Sequence, residues 1–159
     1  MSVVACFHAV TETQLATFLK DPSALVAFLE SDQPKANSIN IDQAADGIQY
    51  LLSQHNCPEA NTAVLGGTKT ATEVGYGPVR YLRVAEVSAI ARGLSSISEE
   101  QLGEHFSPEE MQEACIEPNP DWFWEDEDSL DYLLKNYLKL VEFYQKAASE
   151  KNAVLQYET

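Results

Sequence analysis

Ser129–Glu150 reads SLDYLLKNYLKLVEFYQKAASE, and the chain continues over Lys151–Thr159 as KNAVLQYET. Leu130, Leu133, Leu134, Tyr137, Leu138, Val141, Phe143, Tyr144 and Ala148 recur at helical spacing. Their apolar face is broad, so this longest helix is expected to be central. Lys151-Asn152 turns the chain, and Ala153–Tyr157 reads as a short closing strand. At the other end, Ser2–Val10 (SVVACFHAV) is rich in β-branched residues and reads as an opening strand. The two are candidates for neighbours. The expected fold is α+β: a mostly helical single domain over residues 1–159, with a small sheet that includes the first and last strands.

The intervening chain supports this reading. Thr11 is an N-cap for a helix through Lys20, and Asp21-Pro22 starts a second helix with Leu25, Phe28 and Leu29 inward. Asp42 is expected to cap a helix to about Gln54. Ala63-Val64-Leu65 is a short buried segment stopped by Gly66-Gly67. Thr68–Pro78 is the least regular stretch, and the glycines of Gly75-Tyr76-Gly77 imply positive φ or close backbone approach. Val79–Leu82 is a candidate strand, and Ala85–Leu94 is a helix. Ser98 starts another helix. Ser107-Pro108-Glu109-Glu110 starts a third, running to about Ile116, with serine as cap, proline at N1 and glutamate at N3.

The length of 159 residues allows one domain, and an apolar share of 45% is that of a globular core. The net charge of −15 argues against nucleic acid, whose phosphates need Lys and Arg, and against an anionic membrane surface. No stretch approaches the roughly 20 apolar residues of a membrane span. Met1–Val10 lacks the basic start of a secretory signal, so a cytoplasmic location is expected. Cys6, Cys57 and Cys115 are far apart and odd in number, and are expected to be buried free thiols.

The charge is local. Between Gly93 and Leu134 there are 13 acidic residues and no Lys or Arg. Acids near helix starts suit the macrodipole. That does not account for Trp122-Phe123-Trp124-Glu125-Asp126-Glu127-Asp128, where both tryptophans adjoin four consecutive acids. One reading folds the aromatics onto the core and lets the acids cap the long helix. The other makes them a docking surface for a basic partner, with aromatic anchors and an acidic rim. The acids lack the alternating ligands and central glycine of a calcium loop, so no metal site is expected.

No catalytic set emerges. His8, His55 and His105 have no metal-ligand spacing, and there is no GxSxG elbow. Cys6 and His8 would share one strand face, a weak signal for a thiolate pair. Gly66-Gly67-Thr68-Lys69-Thr70 lacks the first glycine of a phosphate loop and displaces its lysine. No cofactor is expected.

Several segments together resemble the YfbM-like family, bacterial domains of unknown function. They are Ile41-Asp42 with Tyr50-Leu51-Leu52, Ala63-Val64-Leu65-Gly66-Gly67, Gly75-Tyr76-Gly77-Pro78-Val79-Arg80-Tyr81-Leu82 and Ile116-Glu117-Pro118. Phe143-Tyr144 and Asn152-Ala153-Val154-Leu155 add to them. The resemblance covers nearly the whole chain and rests on order and spacing. It implies an α+β domain and no established reaction. Domains of this kind also look like neighbours of polymorphic toxins, beside which small acidic proteins act as immunity partners.

Three functions are weighed, the least specific being a stand-alone housekeeping protein with no toxin. The first is a non-catalytic binding domain, an immunity protein that neutralises a secreted toxin by occluding its active site. Its surface would be Trp122, Trp124, Glu125, Asp126, Glu127 and Asp128, with Glu109 and Glu113, and its partner a basic toxin domain. The alternative is a small-molecule binder or enzyme using the Gly75–Tyr81 region, where Tyr76 and Arg80 with His8 and Asp42 would contact an anionic or aromatic ligand. A deep pocket lined by Tyr76, Arg80 and His8 would favour it.

Overall fold

The computed structural model describes residues 3–31, 37–118 and 123–159. Strands β1 (Ala5–Val10) and β5 (Ala153–Glu158) pair antiparallel along their whole length, from Ala5 opposite Glu158 to Val10 opposite Ala153. The first and last strands are therefore neighbours. β4 (Pro78–Leu82) flanks β5, with Arg80 opposite Gln156 and Leu82 opposite Val154. β3 (Thr68–Glu73) forms a hairpin with β4, and β2 (Ser38–Asn40) edges β1. The five-stranded order is β2-β1-β5-β4-β3. β5 is the middle strand and is buried from Ala153 to Gln156, which its nearly continuous apolar run allows.

Helices cover both faces. On one face α1 (Glu12–Lys20) and α2 (Pro22–Glu30) bury Leu15, Phe18, Leu25 and Leu29 against Val10, Val79 and Leu155. The other face carries the larger core. There α3 (Ala45–Ser53), α4 (Val84–Ser95) and α7 (Ser129–Ser149) bring Ile48, Ile90 and Leu140 together with Phe7, Leu82 and Val154. Two short helices, α5 (Glu99–Gly103) and α6 (Pro108–Glu113), complete that side. The chain is thus α+β, with seven α-helices among the described residues.

The starts follow from local chemistry. Thr11 and Gln14 cap each other's backbone N–H, as do Ser98 and Gln101. The Asp21 carboxylate accepts from Ser23 N–H, and Ser107 Oγ accepts from Glu110 N–H. In α7 the buried line runs Leu133, Asn136, Tyr137, Leu140, Phe143, Tyr144 and Ala147. Its two tyrosines reach across the core: Tyr137 donates to Ile97 O (2.6 Å) and Tyr144 to Ala63 O (2.6 Å).

Five local expectations are corrected. Asp42 does not cap α3; it sits at φ 51° in a 3-10 turn, Asp42–Ala44, ahead of the helix. Its carboxylate instead accepts from the Tyr132 hydroxyl (3.0 Å), while that oxygen accepts from Gln43 N–H (3.0 Å). Thr68–Glu73 is a strand, though its register with β4 shifts between Lys69 and Glu73, because an edge strand paired on one side needs no apolar alternation. Leu138 and Leu65 are exposed, Leu138 because it lies round the helix from the buried line. The helix from Pro108 stops at Glu113, before Cys115 at φ 55°. Cys115 is an exposed thiol, whereas Cys6 and Cys57 are half-buried.

Candidate functional site

The acidic elements share one core with Trp124. Trp124 is 1% exposed and its indole Nε1 donates to Ile116 O (3.1 Å). Phe106 and Phe123 meet its ring edge-on, and Leu102 of α5 and Met111 of α6 belong to the same core. Leu130, at the start of α7, lies against Gly103 of α5. Tyr50 ties α3 to α6 through Glu110 (3.2 Å). The expectation that Trp124 anchors a partner is therefore corrected: an anchor must be reachable, and this indole fills the core. Trp122 lies outside the described residues.

The charges behave differently. Glu109, Glu113, Glu125, Asp126, Glu127 and Asp128 are all exposed. So are Glu99, Glu100, Glu104, Glu110, Glu117 and Asp131. Asp126 has a structural share as well, since its carboxylate accepts from Asp128 N–H (2.8 Å) in the turn before α7. The expected acidic rim is thus outside, while Trp124 of its expected aromatic centre is inside.

The second candidate region is a cleft on the face of the sheet that carries the larger core. It measures about 400 Å³ with its open mouth included, and its lining includes Phe7, Leu65, Tyr76, Arg80, Gln156 and Glu158. Gly75 shapes its rim. It has φ 65°, and a Cβ there would collide with the Glu158 carbonyl, to which Tyr76 N–H donates (3.0 Å). Arg80 is held by a bond from Nη1 to Leu65 O (2.9 Å), and Tyr76 stands 47% exposed.

Tyr76 and Arg80 are therefore brought together, while His8 and Asp42 are not. Asp42 is held by Tyr132 and does not line the cleft. His8 points to the opposite sheet face, because β1 alternates and Phe7 takes the cleft side. There His8 stacks on Tyr157 (centroids 5.6 Å, 4° between planes), and Phe28 meets it edge-on. The Tyr157 hydroxyl lies 3.4 Å from His8 Nε2 and also hydrogen-bonds Cys6. Burial pushes the Cys6 thiol up, so the thiolate needed for nucleophilic attack is disfavoured. Burial, with help from Cys6, pushes Tyr157 up to about 12. Cys6 and Tyr157 therefore favour their protonated forms, and no activated thiolate pair is set up here.

Gln156 and Glu158 escaped the sequence reading. A polar residue at an inward position of AVLQYE was the available signal. Burial is the largest effect raising the Glu158 carboxyl; Asp46 adds to it and Arg80 opposes it. Among the described residues no group of three or more His, Cys, Asp or Glu is placed to hold a metal ion. No helix among them is long and apolar enough to cross a membrane.

The family described as Domain of unknown function (DUF1877) matches residues 1–157. The chain belongs to this family. The fold is also that of a solved structure, a protein of unknown function, YfbM from Escherichia coli. The TM-score is 0.74 at 16% identity, over 98% of this chain and 99% of that one. The assignment as YfbM-like is thereby shown, and at this identity the likeness concerns the fold. A search of curated proteins finds no match.

Proposed function

We propose that the chain is a non-catalytic binding protein whose acidic end docks onto a basic protein partner. The partner chemistry points to the immunity class: a cytoplasmic protein that neutralises a secreted toxin by covering its active site. One observation carries the reading. Twelve exposed carboxylates between Glu99 and Asp131 sit on α5 and α6 or just after them, on residues 123–128 and at the start of α7, with no Lys or Arg among them. Leu102 of α5, Met111 of α6 and Trp124 belong to one core, and α5 packs on α7, so the charges are held on one folded unit. With the indole in the core, the surface works mainly through charge. Such a field steers a cationic partner and raises the association rate more than it deepens the final affinity.

The test is co-expression with a toxin domain encoded beside this chain. Rescue of growth and a stable complex on purification are expected. The clean variant reverses Glu109, Glu113, Glu125 and Glu127 to lysine and leaves the Asp126 turn intact. Its association rate should fall by about tenfold or more at low salt, with the difference shrinking as salt screens the field. Equal rates for variant and wild type would remove the acidic end from the interface.

A further inference from the structure

Gln156 is 3% exposed, and neither Nε2 nor Oε1 has a hydrogen-bond partner. Among the described residues it is the one side chain with both polar atoms buried and unmet. Buried amides are normally satisfied, and leaving one unmet is unfavourable. This amide lines the cleft. The amide carries a donor and an acceptor in one plane, so its complement is a planar group with the same pair reversed, such as a carboxamide.

Opposite charges flank it. Arg80 lies directly across on β4, and Glu158 is two residues along β5 on the same face. The Leu65 carbonyl holds one arm of the guanidinium, which leaves N–H groups of the fork for a carboxylate. Glu158 is partly desolvated, and an ammonium beside it would favour its ionised form. Phe7, Ala5 and Val64 supply apolar wall.

We propose that this cleft binds a small zwitterion carrying a carboxamide: carboxylate on Arg80, ammonium on Glu158 and amide against Gln156. The site uses no residue between Gly93 and Leu134 and stands or falls apart from the acidic docking surface.

The probe is L-glutamine, followed by amide NMR shifts and thermal unfolding of the whole chain. Saturable binding with an affinity on the order of 1 mM or tighter is expected, with shifts confined to the cleft strands. L-glutamate and N-acetyl-L-glutamine should each bind at least about tenfold more weakly, because one loses the amide donor and the other the ammonium. Gln156→Leu should unfold at the same or a higher temperature without probe and lose the binding. Glu158→Gln, nearly isosteric, should weaken L-glutamine at least about tenfold and level it with N-acetyl-L-glutamine. No binding of L-glutamine overturns the proposal. So does unchanged binding by either variant. A lower unfolding temperature for Gln156→Leu also overturns it, since the amide would then be satisfied inside the free protein.

Discussion

At Trp124 a single side chain separates two accounts of the acidic end. Its ring is in the core with Nε1 on Ile116 O, so Trp124→Ala should lower stability by about 3–5 kcal/mol, read from urea unfolding. A loss under about 1 kcal/mol would return the indole to the surface. The thiols give a second check. Cys115 is exposed, while Cys6 is half-buried with its thiol pushed up, so alkylation near neutral pH should modify Cys115 first and Cys6 slowly. Mass-mapped labelling that found Cys6 fastest would contradict the burial of β1. Residue identities alone predicted the caps at Thr11, Asp21, Ser98 and Ser107, because a cap is decided within four residues. Whether an aromatic beside acids turns inward was not legible, since that depends on Ile116 and Phe106 arriving from other elements.

The elements show the same division between local and distant causes. The long helix and the two terminal strands were legible because periodicity and length carry them. β3 was not: TKTATE has no apolar alternation, and it becomes a strand through its pairing with β4. The cleft was half legible. Gly75-Tyr76-Gly77 and Arg80 drew notice as a motif, but Gln156 and Glu158 join them only through the β4–β5 register. The tie between α7 and the 60–65 segment has a measurable value. Tyr144→Phe removes the donor to a buried Ala63 carbonyl and should lower stability by about 1–3 kcal/mol, measured by denaturant midpoint at constant slope. Tyrosine burial on α7 and β5 also sets an alkaline limit. Tyr132 and Tyr157 are pushed up to about 12, mainly by burial, against about 10 for an unfolded tyrosine. A raised folded value means that this stability is complete below about pH 10 and is lost as pH rises through about 12. Thermal midpoints should fall across that window, together with tyrosinate absorbance. Tyrosinate appearing near pH 10 with the fold intact would contradict the burial.

For the whole molecule, the net charge of −15 separates into a nearly neutral body and one acidic section. Thirteen acids in the 42 residues from Gly93 to Leu134 leave −2 for the rest, which holds 12 acids and 10 bases. The sharing of one core by α5, α6, Trp124 and α7 turns that run of sequence into a property of one part of the fold. Self-repulsion there should ease as salt is added, so the unfolding temperature should rise with ionic strength up to a few hundred millimolar. The central claim is that this section is where a basic partner lands. Its most direct test is the association rate of the chain with a basic toxin domain, compared with the Glu109, Glu113, Glu125 and Glu127 lysine variant. At low salt the account predicts a rate lower by about tenfold or more for the variant, converging with wild type as salt rises. The same rate for both proteins at low salt would contradict it.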